Sequence, residues 1–144
     1  MQIRPAVTED ADAIAILTSE LGYPTSVADM RARLEALLAR LTHFVAVAED
    51  ASGVIGWIAA EERLVLESGT RAELVGLVVT SRVRRTGVGR ALVREAESWA
   101  RHRGLESIFV RSNVVRHEAH PFYDSLGYSR TKTQHAYAKR LGSG

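Results

Sequence analysis

Apolar positions along this chain recur at two different periods, and each change of period marks the edge of an element. Gln2 to Arg4 reads as a short strand. Ile14, Leu17 and Leu21 then fall on one helical face, with Thr8 as N-cap and Glu9, Asp10 and Asp12 in the first turn. Gly22-Tyr23-Pro24 ends that helix, and Ser26 opens a second in which Met30, Leu34, Leu37, Leu38 and Leu41 keep the spacing while Arg31, Arg33, Glu35 and Arg40 face water. The period then shortens to two. Phe44 to Ala48 and Val54 to about Leu66 are predicted strands of an antiparallel hairpin, joined by the turn Glu49-Asp50-Ala51-Ser52-Gly53.

After a break at Gly69, a strand from Arg71 to Val79 runs into a glycine-containing loop. A helix follows from Val88 to about Arg103, closed by Gly104, and Ser107 to Arg111 is a further strand. Arg71 to Arg111 is therefore a βαβ unit, whose parallel strands a right-handed crossover joins. A short helix from about Glu118 to Leu126, the break Leu126-Gly127-Tyr128 and a strand from about Gln134 to Arg140 complete the pattern, with room for one more strand around Tyr128 to Lys132. The predicted class is α/β, a mixed sheet in the order β-α-α-β-β-β-α-β-α-β(-β).

With 144 residues, 46% of them hydrophobic and 25% charged, the chain suits one globular domain over residues 1–141, with 142–144 as a frayed end. It has no cysteine, which rules out a disulfide framework and a thiol nucleophile and suits a reducing cytoplasm. No apolar run approaches the roughly 18 residues of a membrane helix, and the start lacks a secretory apolar segment. A soluble, cytoplasmic protein without membrane contact is expected. The net charge of +2 conceals a concentration of arginine at Arg82, Arg84, Arg85, Arg90, Arg94, Arg101 and Arg103. No aromatic residues are interleaved there as stacking platforms, so a small phosphorylated ligand is expected rather than nucleic acid.

The loop Arg84-Arg85-Thr86-Gly87-Val88-Gly89-Arg90 lies between an apolar strand and a helix. That order leaves several backbone N–H groups unpaired at the positive end of the helix dipole, a place where a diphosphate fits. Glycine lets the phosphate approach the amides and permits a positive φ. A nucleotide-hydrolase loop would end in Gly-Lys-Ser/Thr, but Gly89 is followed by Arg90 and Ala91. A dinucleotide fingerprint needs a third glycine where Leu92 stands. The loop instead resembles the Arg/Gln-x-x-Gly-x-Gly/Ala pyrophosphate loop of the GNAT N-acetyltransferases, with Arg84, Gly87 and Gly89 at its fixed positions.

The order of elements is similar to the GNAT fold over nearly the whole chain. The resemblance implies acetyl-CoA as acetyl donor, its pyrophosphate on Arg84 to Arg90 and its pantetheine arm on the backbone of Leu77, Val78 and Val79. Ala72-Glu73-Leu74-Val75 resembles the family's Ala-Glu-Ile-Val, which implies that Glu73 is a general base or binds the amine, with Trp57 and Leu74 expected to desolvate it. Ala119 to Tyr128 resembles the family's closing Ala-x-x-x-Tyr-x-x-x-Gly-Phe/Tyr, which places Tyr123 at the coenzyme sulfur as proton donor. The asparagine that often contacts the pantetheine is replaced by Arg116, and Asn113 is its candidate substitute.

Direct transfer in a ternary complex is implied, because no cysteine is present to carry an acyl intermediate. The alternative is a non-catalytic acyl-CoA sensor. The acceptor is left as a small-molecule primary amine or a protein amino group, and homodimerisation is compatible with the family. No metal is expected: His117-Glu118-Ala119-His120 is one residue short of the His-Glu-x-x-His zinc pattern. Trp57 and Trp99 are expected in the core, and no serine sits in a Gly-x-Ser-x-Gly elbow.

Overall fold

Runs of β-branched and small apolar residues build five strands in one sheet, in the order β1 (Gln2–Pro5), β2 (His43–Asp50), β3 (Gly53–Val65), β4 (Gly69–Val79) and β5 (Ile108–Val110). The computed structural model describes residues 1–83, 86–111 and 119–142, and the chain divides into two compact units, 1–111 and 112–144. The first unit holds the whole sheet. Its first four strands pair antiparallel, whereas β5 runs parallel to β4, with Ala72, Glu73 and Leu74 opposite Ile108, Phe109 and Val110. This is the parallel pair expected of the βαβ segment.

Helices α1 (Ala11–Glu20) and α2 (Val27–Leu38) cover one face of the sheet, where Ile14 and Leu34 bury against Val45 and Val47, with Met30, Trp57 and Ala59 packed alongside. Alternation sends Phe44, Ala46 and Ala48 to the other face, under α3 (Val88–His102). There Phe44 stacks on Trp99 with ring centroids 5.5 Å apart, and Leu92, Val93 and Ala96 are fully buried. Gly56 allows β3 to approach: a Cβ there would stand 3.2 Å from the Leu92 side chain and 3.0 Å from the Val78 carbonyl. Each large apolar side chain so buried stabilises the unit by roughly 1.5–3 kcal/mol.

Three expectations change. Thr8 does not cap α1. Thr8–Asp10 forms a single 3-10 turn, and Asp10 precedes the helix, its carboxylate accepting the Val7 N–H at 2.8 Å and both terminal amino groups of Arg4 at 2.9 Å. Leu38 and Leu41 lie outside the core, 40% and 85% exposed, because α2 ends at Leu38 and helical spacing no longer carries Leu41 inward. Ser26 does cap α2, its Oγ accepting the Asp29 N–H at 3.0 Å.

In the second unit, α4 (Ala119–Ser125) ends at Gly127, whose φ is +87°. The expected strand from Gln134 to Arg140 is not formed, nor is one at Tyr128 to Lys132, and the segment is exposed. Its alternate positions offer only Ala136 and Ala138 on one face and Tyr137, 93% exposed, as the large apolar group on the other. That is little apolar area against an ordering cost of about 1–2 kcal/mol per residue.

Candidate active site

The pairing of β3 with β4 contains one irregularity. Gly76 opposes Ala59 and Leu74 opposes Ala60, so Val75 is an extra residue, a bulge, and its side chain is 54% exposed. Before the bulge, the Ala72 N–H donates to Ser107 O at 3.0 Å, toward β5. After it, the Thr80 N–H donates to Ile55 O at 2.9 Å, so the antiparallel ladder turns the main-chain groups of Val78 to β3 and those of Leu77 and Val79 the opposite way. The register with β5 stops at Leu74 among the described residues. Leu77 and Val79 therefore present backbone groups to the edge away from β3, where no strand among the described residues pairs with them, while the main chain of Val78 is committed to β3 and its side chain is buried.

Gly76 and Trp57 hold this half of β4 in place. The Trp57 ring lies across Gly76 so closely that a Cβ there would be 2.7 Å from two ring carbons, and its Nε1 donates to Thr18 Oγ1 at 3.2 Å. Thr18 in turn donates to Ile14 O at 2.7 Å. Trp57 is half-buried and works as a brace between α1 and the sheet.

The glycine loop lies past the end of the same strand. Gly87 is the N-cap of α3, with φ +91° and ψ +4°, a conformation that glycine adopts without strain. The first intrahelical bond runs from the Ala91 N–H to Gly87 O at 3.0 Å, so the amides of Val88, Gly89 and Arg90 precede it and point out of the helix end. Among the described residues nothing lies within 4 Å of a Cβ built on Gly87, and Thr86 is folded back with its N–H and Oγ on Val83 O. Val88 is buried and Arg90 exposed. A helix end worth about half a positive charge and an exposed arginine fit a diphosphate. Arg84, Arg85, Asn113 and Arg116 lie outside the described residues.

Glu73 sits two residues before the bulge and is only 4% exposed. The neighbours that hold it are guanidinium groups rather than apolar rings: Arg63 Nη1 meets Oε2 at 2.8 Å and Arg111 Nε meets Oε1 at 3.2 Å. The hydrogen bond that Arg63 donates to Glu73, and then the Glu73 charge, raise the pKa of the Arg63 guanidinium above its ordinary value. Neither arginine was singled out in the sequence, because 10 positions separate Arg63 from Glu73 and only the hairpin register brings them onto one face. In the second unit, the Tyr123 ring packs edge-on against Phe122 and Tyr128, with centroids 5.1 and 5.8 Å away. Among the described residues no group of histidines and carboxylates is arranged to hold a metal ion, and no helix is long and apolar enough to cross a membrane.

Comparison with known proteins identifies the family and agrees with the fold. The model of the acetyltransferase (GNAT) family matches residues 11–128. The aminoglycoside N(6')-acetyltransferase type 1 of Serratia marcescens is 26% identical over 142 residues, 93% of this chain and 95% of its own. The aminoalkylphosphonate N-acetyltransferase of Salmonella typhimurium (strain LT2) is 29% identical over 135 residues, 90% of this chain and 86% of its own. Among solved structures, aminoglycoside N-acetyltransferase AAC(6')-Iy in complex with CoA superposes with a TM-score of 0.88 over 97% of this chain and 95% of that one, at 19% identity, a likeness of fold.

Proposed function

This chain belongs to the acetyltransferase (GNAT) family and is an N-acetyltransferase, and from that premise we propose that it transfers the acetyl group of acetyl-CoA directly to a small-molecule primary amine in a ternary complex. The observation that carries this reading is the bulge at Val75 followed by amides on the edge away from β3 and a glycine-capped helix end on one continuous stretch of chain. The distance along β4 from Val79 back to Val75 is about 13 Å at 3.3 Å per residue, room for an extended arm between diphosphate and thioester. The two named relatives act on small amines, which supports such an acceptor over a protein amino group.

In the proposed reaction the amine nitrogen attacks the thioester carbonyl, the C–N bond forms and the C–S bond breaks. The Leu77 N–H, turned to the edge away from β3, receives the carbonyl oxygen as negative charge develops on it. An alkyl amine has a pKa of about 10.4, so on the order of one molecule in a thousand is neutral at pH 7 and a proton acceptor is needed. Glu73 takes that role through water, its carboxylate held in place by Arg63 and Arg111. The Tyr123 phenol returns a proton to the departing thiolate. The amides of Val88 and Gly89, with Arg84, Arg85 and Arg90, hold the pyrophosphate, while Thr86, both of its donors on Val83 O, shapes the turn before them rather than binding it, and Asn113 contacts the pantetheine.

Calorimetric titration with acetyl-CoA, followed by thiol release with a panel of amines, tests the reading. Binding together with release that falls at least tenfold in Glu73→Gln and Tyr123→Phe supports it. Binding without release for any amine makes the chain a sensor, and no binding removes the donor assignment altogether.

A further inference from the structure

The sheet face beside the bulge is unusually rich in arginine. Cross-strand register sets Glu61 opposite Glu73 and Arg63 opposite Arg71, with Phe109 of β5 beside Glu73. These side chains share the face that β2 and β3 turn toward α1 and α2. Arg111 follows Val110, the last residue paired with β4, and so stands next to the bulge.

Both carboxylates in this group are already satisfied. Glu73 is held by Arg63 and Arg111, and Glu61 by His43 Nε2 at 3.2 Å and Arg63 Nε at 3.7 Å. Three guanidinium groups thus face two carboxylates, and the surplus is positive. Arg111 meets Glu73 Oε1 through Nε, and with its side chain 70% exposed its guanidinium fork also stands open to solvent. Arg71 lies over the Phe109 ring, with Cζ 4.1 Å from the centroid, and its buried Nε has no hydrogen-bond partner among the described residues.

Among the described residues of this face, a polycationic acceptor brought to the bulge would meet arginines and no unpaired carboxylate, a like-charge arrangement that costs binding. An acceptor whose amine is accompanied by a carboxylate or phosphonate would meet a planar donor fork suited to an oxyanion. Resting on the transferase reading above, we propose that the acceptor is an anionic amine, its acidic group received by Arg111 with Arg71 behind it, and its amino group turned to the acetyl carbon at Val75.

The test is kcat/KM for thiol release from acetyl-CoA with four acceptors: 2-aminoethylphosphonate, β-alanine, propylamine and tobramycin. One or both anionic amines should exceed propylamine and tobramycin at least tenfold, the worth of one charge-assisted hydrogen bond. In Arg111→Gln the ratio of the anionic amine to propylamine should fall toward one through KM, and in Arg111→Lys it should be partly restored. Thermal melting of both variants distinguishes lost recognition from lost folding, and the Lys variant keeps the question open to measurement if the Gln variant unfolds. Higher kcat/KM for propylamine or tobramycin, or a ratio unmoved by Arg111→Gln, overturns the inference and leaves the transferase reading intact. Acetyl-CoA binding with no release for any of the four amines overturns that reading, and the inference with it.

Discussion

Replacing Gly76 by alanine tests whether Trp57 braces the half of β4 that follows the bulge, where the proposed reaction places the acetyl group. The added Cβ would sit 2.7 Å from two carbons of the Trp57 ring, against the 3.4–4 Å of ordinary contact. Close to 1 Å of movement is needed, and the ring is not free to supply it. Its Nε1 bond to Thr18 is already 3.2 Å long, so such a displacement takes it out of hydrogen-bond range. Overpacking of this kind costs about 1–3 kcal/mol and the lost hydrogen bond about 1 kcal/mol, which together lower Tm by roughly 6–16 °C in a chain of this size. The assay is urea or thermal unfolding of a double-mutant cycle, because Trp57→Phe removes the two clashing ring atoms and should erase most of the Gly76→Ala penalty in that background. Acetyl-CoA affinity should fall along with stability, since the amides of Leu77 and Val79 ride on the displaced segment. A Gly76→Ala variant within about 0.5 kcal/mol of the parent, or an equal penalty with and without the Trp57 indole, refutes the brace.

Three further outcomes follow from other parts of the molecule. Gly87→Ala should cost about 1–2 kcal/mol of folding stability from backbone strain alone, because φ is +91° and its Cβ meets nothing among the described residues; calorimetry should also show acetyl-CoA binding at least tenfold weaker, the methyl occupying space over the helix-end amides. Burial pushes the Asp10 carboxyl up, but the hydrogen bonds from Arg4 and the Val7 N–H outweigh it and hold the group below its ordinary value. Its contribution is therefore complete above about pH 4 and is lost as the pH falls through the lower folded value; Asp10→Asn should be destabilised by about 2 kcal/mol at pH 7 in urea unfolding, with the gap narrowing as the pH is taken below that range. Ser26→Ala should cost about 1 kcal/mol and roughly 3 °C in a thermal melt, the loss of one N-cap bond to Asp29.

What the sequence made legible was local. Ser26, Gly87 and Gly104 each do a job decided within four or five residues, a cap, a left-handed turn and a helix stop, and each stands where the letters put it. The apolar stripe Leu92, Val93, Ala96 and Ala100 of α3 is equally self-contained. Contacts that close over long separations were not legible. Arg4 meets Glu49 across 45 positions, and this network, by drawing Asp10 into an ion pair, displaces Thr8 from the cap that propensity assigned to it. Glu73 was found from its neighbours in the chain, but the arginines that hold it come from the hairpin partner and from the end of β5. The missing strand at Gln134 to Arg140 shows the converse: a strand was expected there from its place in the element order, yet the segment carries too little apolar area to make an ordered strand worthwhile.

The bulge at Val75 joins these scales. A regular β4 would continue its ladder with β5 beyond Leu74, and every main-chain group along that edge would have a strand as partner. Two residues set against Ala60 instead bend the strand and increase its twist there, and among the described residues the pairing with β5 ends at Leu74. Three features then fall within a few residues of one another: a buried carboxylate fixed by arginines at Glu73, an exposed kink at Val75 and backbone donors turned outward at Leu77 and Val79. Bending costs ladder hydrogen bonds, and something must hold the bent half in position. Gly76 supplies that by lacking a side chain, because only its absence lets the Trp57 ring lie across the strand and tie it to α1 through Thr18. The glycine that looks dispensable in the run Leu74-Val75-Gly76-Leu77 is thus what converts an irregularity in pairing into a rigid edge at which an acetyl group can be presented to an amine.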